Sequence, residues 1–329
     1  MHVIQLKSPG GPEVLELVEK PLPEPAAGEV RVRALAIGVN SADMLIRRGV
    51  YNWMPPLPAV PGNEMAGVVE ALGPGVQGVT IGQKVLVSSR ELPYRGGCYA
   101  QAVCVPAAAL YVLPDSISAN DAVTLPNYQL AGAMLYDAGV PKPNSILIHG
   151  AAGGVATAVI QLATADGIQA IGTVSSEEKR AFARAAGTPH VILRGKEDVR
   201  EEVMKLTNAR GVDVVYAAAG PTFIRNVDLL APLGTVVSYS IFGGLMPEAD
   251  IFGELRKKIG LSLGVRVYSI HTLDKQPEKR RAFMQRAIDL MAEGRLRPPP
   301  PTLVPLAEAR RAHEMMEAAT TLGKVVLVP

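Results

Sequence analysis

The sequence predicts an α/β chain in which an irregular β domain is split around an inserted doubly wound parallel sheet. Three observations carry this. The first third is a series of short apolar runs bounded by Pro and Gly. From about Asp121 apolar β-runs alternate with helical stretches, and after Tyr268 the chain returns to charged helices and one short strand. The length of 329 residues exceeds one ordinary core and fits two domains.

In the first third the strand runs are EVRVRALAIGVN, AGVVEALG, QKVLVS and YAQAVCV, each closed by turn residues. The middle reads SILIHG, QAIGTV, HVIL, VDVVYAAAG, GTVVSYS and LSLGVRV, with helices between, the pattern of successive βαβ units. A charged amphipathic helix is expected from about Glu278 to Glu293, then the stiff connector RPPPPT, a helix around Glu308 to Ala319, and the strand KVVLV.

Composition excludes several functions. With 33 basic and 31 acidic residues and no basic run interleaved with aromatics, nucleic acid is not an expected partner. No run of about 18 apolar residues suggests a membrane span, and MHVIQLKSPGGPEVLEL carries Pro and charges where a signal peptide needs an apolar stretch, so the expected location is the cytoplasm. Cys98 and Cys104 match neither a redox pair nor a zinc pattern and read as buried thiols in adjoining strand segments.

The most informative stretch is SILIHGAAGGVA, residues 145–156, followed by a helix carrying VIQLA. An apolar strand runs into a Gly-rich turn that opens a helix, so free N–H groups and the positive end of the helix dipole face whatever anion sits there. Gly153, Gly154 and Val155 are the candidate contacts to a dinucleotide pyrophosphate, and Ala156 permits close helix–strand packing. The next strand ends in Ser175-Ser176-Glu177-Glu178-Lys179, with no carboxylate directly at the strand end to accept from a ribose 2′-hydroxyl. Small hydroxyls and Lys179 suit a 2′-phosphate, which favours NADPH over NADH. One of the two serines is also placed to cap the following helix.

These residues resemble the medium-chain dehydrogenase/reductase superfamily, in its zinc-free quinone oxidoreductase and zeta-crystallin-like branch. The resemblance spans nearly the whole chain: GVNSAD at 38–43, RRGVY at 47–51, PGNEMAGVV at 61–69, GPGVQGVTIGQKV, GGCYAQAV, HGAAGGVA, GTVSSEEK and the terminal GKVVLVP. It implies a GroES-like catalytic domain from residues 1–122 and 267–329 around a Rossmann domain at 123–266. It further implies cofactor contacts from Gly153, Gly154, Val155, Gly172, Ser175, Lys179, Ser240, Ile241, Val265 and Arg266. For Arg266 a surface ion pair is the alternative.

Zinc-dependent relatives carry a Cys near the position of Asn40 and a His at that of Asn63, and the cysteine-rich lobe is missing, so no metal is expected. Direct hydride delivery then requires an activated acceptor, a quinone or an enone, with a donor to the oxygen where charge builds. The resemblance places Asn40 near the nicotinamide, orienting substrate or cofactor amide, and Tyr51 as a donor to the oxyanion. The competing readings are a turn-capping amide for Asn40 and packing for Tyr51. Asp43 and Arg47 are expected to pair with each other. The chain departs from its relatives at Leu130-Ala131-Gly132-Ala133, where Thr-Ala-Tyr is common and supplies a hydroxyl contact to the nicotinamide, and at Leu193, where a Tyr often helps to hold the 2′-phosphate and Arg194 stands beside it as a substitute.

The leading reading is an NADPH-dependent quinone or enone reductase. The alternatives are an enoyl-thioester reductase of fatty acid or polyketide type and a non-catalytic, crystallin-like NADPH-binding protein. The apolar edge LSLGVRVYS predicts a homodimer, and loops at residues 45–60, 90–97 and 242–254 are expected to shape the substrate pocket.

Overall fold

The computed structural model describes residues 1–329 except 139, 219, 221, 222 and 241–249. Ile241 and most of the expected pocket loop after it lie outside the described residues. The chain divides into two compact units, residues 1–126 with 300–329, and residues 127–299.

The first unit opens with the antiparallel pair β1 (His2–Gln5) and β2 (Glu16–Glu19). It continues through β3 (Glu29–Val39), α1 (Ser41–Arg47), β4 (Glu64–Leu72), β5 (Lys84–Ser88), β6 (Ala102–Pro106), β7 (Leu110–Val112) and the single turn α2 (Ala119–Ala122). In β3 the alternation is direct: Val30 and Val32 are fully buried while Arg31 and Arg33 turn outward to Glu70.

The chain then enters the second unit along α3 (Leu125–Asp137) and builds β8 (Ser145–His149), α4 (Gly154–Ala165), β9 (Gln169–Val174), α5 (Glu177–Ala185), β10 (His190–Leu193), α6 (Val199–Leu206), β11 (Val212–Ala218), β12 (Leu230–Ser240), α7 (Ile251–Arg256), β13 (Gly264–Val267) and α8 (Pro277–Ala292). It closes in the first unit with β14 (Thr302–Pro305), α9 (Ala309–Glu317) and β15 (Val325–Val328).

The second unit holds a six-stranded sheet, all parallel, in the order β10-β9-β8-β11-β12-β13. The first strand therefore lies in the middle and the order reverses beside it, which opens a crevice at the carboxyl ends of β8 and β11. Ile146, Leu147 and Ile148 of β8 are fully buried because helices cover both faces of the sheet. Each such side chain contributes roughly 1.5–3 kcal/mol of transfer free energy. The strand runs read from the sequence appear as strands, which bears out the doubly wound sheet.

Two boundaries fall elsewhere than the sequence suggested. Residues 267–299, assigned by resemblance to the catalytic domain, belong to the parallel-sheet unit, and the first division lies after Pro126 rather than after Ala122. The cause is packing of α8: Gln129 donates to the Arg280 carbonyl, Lys279 pairs with Asp137, Arg286 with Asp166, and Tyr136 stacks on Phe283.

The first unit's sheet runs β14-β15-β3-β4-β5-β7, with β6 also on β3. Its core includes Val30, Val32, Ile37, Met65, Val85 and Val87 together with Val304, Val325 and Leu327 from the far end of the chain. The GroES-like β domain is thus completed by residues 300–329. Cys98 is buried and Cys104 half-buried, and both are free thiols.

Candidate functional site

In the second unit the site starts at the end of β8. Gly150 takes φ +73°, which turns the chain sharply, and the N–H groups of Gly150 and Ala151 both donate to the Thr173 carbonyl at 2.9 and 3.0 Å. Gly153 donates back to the Gly150 carbonyl at 2.8 Å, so these groups hold the turn itself. The next N–H groups, of Gly154 and Val155, begin α4 and have no acceptor within the helix. No side chain caps them, Gly153 is exposed and the two residues after it are half-buried, so an anion can reach them. Gly172 acts from beneath: a Cβ there would lie 2.5 Å from the Ala151 Cβ, and its bare face lets the turn settle on β9.

At the end of β9 the two serines separate by role. Ser176 is the N-cap of α5, its hydroxyl accepting from the Lys179 N–H at 3.2 Å, while Ser175 stays exposed. Glu177 lies between Arg180 and Lys196, 3.7 and 3.5 Å away, so its charge is countered locally. Leu193 is buried, and the Arg194 N–H bonds to the Val174 carbonyl at 2.9 Å, which puts the exposed Arg194 beside the β9 terminus. Ser240 ends β12 at the same edge of the sheet. Val265 and Arg266 sit lower in the sheet, level with Val236 and Val237, Val265 packing on the core and Arg266 exposed on the outermost strand.

In the first unit the candidate residues belong to a buried polar cluster. Asn40 and Asp43 form a capping box at the start of α1. The Asn40 amide donates to both oxygens of Glu64 at 2.9 and 2.8 Å, and Glu64 is ion-paired with Lys324. A carboxylate only accepts, so the amide NH2 is fixed on Glu64, while Oδ1 faces the Asp43 N–H in the capping box. Asn63 is committed at both ends, donating to Asp43 at 2.6 Å and accepting from Ser89 at 2.8 Å. Among the described residues no three His, Cys, Asp or Glu side chains are grouped to hold a metal ion.

The expected Asp43–Arg47 pair does not form. Asp43 accepts from the Asn40 and Gly62 N–H groups, the Asn63 amide and the Tyr99 hydroxyl, whereas Arg47 pairs with Glu317 and donates to the Gly10 carbonyl at 3.1 Å. Burial, and then the Glu64 charge, push the Asp43 carboxyl up to about 7. The Tyr99 hydroxyl also meets His313 Nε2 at 3.0 Å, and burial with the nearby Arg47 pushes that imidazole down to about 3. Sequence reading missed His313 and Lys324, because nothing local marks residues whose partners lie more than two hundred positions away.

Tyr51 is half-buried against the core with its ring 5.5 Å from that of Trp53. The loops expected to shape a pocket, 45–60 and 90–97, are joined by the Arg95 N–H on the Trp53 carbonyl at 2.8 Å, and between them they expose Val50, Leu57 and Tyr94.

Residues 26–115 match the alcohol dehydrogenase GroES-like domain and residues 154–289 the family described as zinc-binding dehydrogenase. A quinone oxidoreductase of Pseudomonas aeruginosa is 35% identical over 99% of each chain. A 2-haloacrylate reductase of a Burkholderia species is 33% identical over 97% of this chain and 96% of its own. The crystal structure of Escherichia coli quinone oxidoreductase complexed with NADPH superposes over 100% of both chains with a TM-score of 0.86 at 32% identity. With the split β domain, the inserted parallel sheet and these full-length matches, the chain belongs to the medium-chain dehydrogenase/reductase superfamily, in the branch of the quinone oxidoreductases.

Proposed function

We propose that the chain is an NADPH-dependent reductase that passes hydride to a quinone or an α,β-unsaturated carbonyl without a metal ion. The observation that carries this is the open first turn of α4, at the crevice beside β8, with Ser175 and Arg194 rather than a carboxylate at the end of β9. The relatives agree: one solved quinone oxidoreductase is an NADPH complex, and one relative is named for reducing a conjugated acid.

The cofactor supplies hydride from its nicotinamide ring. The N–H groups of Gly154 and Val155 suit its pyrophosphate, and Ser175, Lys179 and Arg194 its 2′-phosphate, with Ser240, Val265 and Arg266 as further contacts. Asn40 would orient substrate or cofactor amide, its own amide held by Glu64, which is in turn paired with Lys324. Tyr51 donates to the oxygen on which charge accumulates. A metal-free route is supported by the Asn40 and Asn63 amides, which stand where zinc relatives carry ligands and are spent on Glu64, Asp43 and Ser89.

The outer edge strand β13, with Val267 84% exposed, supports a homodimer. Two free cysteines accord with the reducing cytoplasm.

The test is a fluorescence titration with NADPH and NADH, followed by 1,4-benzoquinone, 9,10-phenanthrenequinone and a crotonyl thioester while absorbance of the reduced nicotinamide is recorded. NADPH-selective binding with quinone-dependent oxidation is the expected result. Turnover of the thioester alone would make the chain an enoyl-thioester reductase, and binding without turnover of any acceptor a non-catalytic binder. Failure to bind either nucleotide would overturn the proposal.

A further inference from the structure

His149 closes β8, one residue before the Gly-rich turn, and its ring is held on both sides. Nδ1 lies 2.8 Å from Thr173 Oγ1 and Nε2 lies 2.6 Å from Asn226 Oδ1. The partners fix the direction of each bond. Asn226 Nδ2 donates to the Phe223 carbonyl at 2.8 Å, so the oxygen of that amide faces the ring and can only accept. Nε2 therefore carries the ring proton, and Nδ1 takes the proton of the Thr173 hydroxyl.

Thr173 is fully buried, and its carbonyl is the acceptor for the N–H groups of Gly150 and Ala151. One imidazole thus ties together the end of β8, the end of β9 and the helical turn Phe223–Leu229 that follows β11, all beneath the turn that opens α4. Neither the packing of the sheet nor the turn hydrogen bonds call for a polar ring at this point. An aliphatic residue would fill it without burying three polar groups that must all be paired.

We propose that His149 is a positioning residue for the dinucleotide, a neutral brace that holds Gly150–Gly153 against β9 so that the N–H groups of Gly154 and Val155 stay aimed at the pyrophosphate. This rests on the dinucleotide reading of the same turn. The neutral ring suits the role, since a second ring proton would face the Thr173 hydroxyl instead of accepting from it. Burial, together with the Arg194 guanidinium after β10, outweighs the hydrogen bond to Asn226 and keeps the imidazole below its usual range.

The experiment compares full-length wild type with His149→Phe and His149→Gln by NADPH fluorescence titration and by kcat at saturating NADPH. His149→Phe is expected to weaken NADPH binding about tenfold, the scale of a lost buried hydrogen bond, with kcat changed less than about twofold. His149→Gln, whose Oε1 and Nε2 can repeat the acceptor and the donor, is expected to restore most of the affinity. Should the Phe variant not fold, Thr173→Val removes only the donor to Nδ1 and carries the same expectation. Unchanged affinity in the folded variants, or equal weakening in Phe and Gln, would overturn the positioning role. Wild-type protein that binds no NADPH would instead remove the dinucleotide reading on which it rests.

Discussion

Lys324 and Glu64 form a buried ion pair between the entrance to β15 and the first residue of β4, with side-chain exposures of 5% and 3%. Taking two charges out of water is costly, and the pair persists because Asn40 satisfies the same carboxylate. Removing only Lys324 leaves the buried carboxylate without its ion-pair partner. Lys324→Met is expected to lower unfolding free energy by about 3–5 kcal/mol, and adding Glu64→Gln to recover much of it. Trp53, the single tryptophan, lies in this unit, so urea titration followed by its fluorescence reads the effect. A loss below about 1 kcal/mol for Lys324→Met would contradict the burial argument.

The Asp43–Tyr99–His313 chain predicts a dependence of stability on pH with two opposing parts. His313 falls from 6.5 to about 3 on folding, so between those values the unfolded chain binds a proton that the folded one refuses, and stability is lost as pH falls. Asp43 rises from 3.8 to about 7, so its contribution is whole below 3.8 and is lost as pH rises through that window. His313→Gln removes the first part alone. Its deficit against wild type should shrink by about 2 kcal/mol between pH 7.5 and pH 5, at about 1.4 kcal/mol per unit. A deficit that does not change with pH would mean that the imidazole titrates alike in both states.

A carboxylate at the end of β9 should reverse the nucleotide preference. Ser175→Asp places an acceptor where a ribose 2′-hydroxyl would lie and a like charge where a 2′-phosphate would lie. NADPH affinity is expected to drop at least about tenfold, roughly 1.4 kcal/mol, with NADH affinity held or improved. Parallel losses for both nucleotides would point to damage of the turn rather than to selectivity.

Gly172→Ala tests the seat of the Gly-rich turn. The added methyl would stand 2.5 Å from the Ala151 Cβ and 3.1 Å from Thr188 Cγ2, so the turn must lift. A stability loss of about 1–3 kcal/mol is expected, with weaker binding of NADPH and NADH alike. Denaturation and nucleotide titration together read it, and wild-type behaviour in both would remove Gly172 from the site.

Val267→Lys places a charge on the exposed edge of the parallel sheet and is expected to shift a dimeric mass to a monomeric one in light scattering, with nucleotide binding retained. A wild-type protein already monomeric at assay concentration would rule out the dimer.

Local rules made the parallel sheet legible. The runs around Ile146 to Ile148 and Val212 to Val215 are unbroken and bounded by Gly, and the turn after His149 carries its own signature. They misled where the answer was not local. The spacing of Asp43 and Arg47 suits a helical ion pair, yet both side chains are buried and turn to different partners. β14 was hidden behind Arg297-Pro-Pro-Pro-Pro-Thr302, since proline argues against a strand until a neighbour such as β15 supplies the ladder. The boundary at α8 was set by resemblance, and contacts from Gln129 and Tyr136 moved it.

Because β15 lies between β14 and β3, the order of synthesis matters to this chain. Residues 127–299 leave the ribosome as one continuous stretch and can assemble as they emerge, whereas the residues made first must wait for those made last. Until Lys324 has been added, the Glu64 carboxylate lacks its ion-pair partner, and until His313 arrives, the Tyr99 hydroxyl lacks one of its two partners. A nascent chain stalled before residue 300 therefore carries a finished nucleotide half joined to a half that still exposes its sheet, and such a product is a natural client for chaperones.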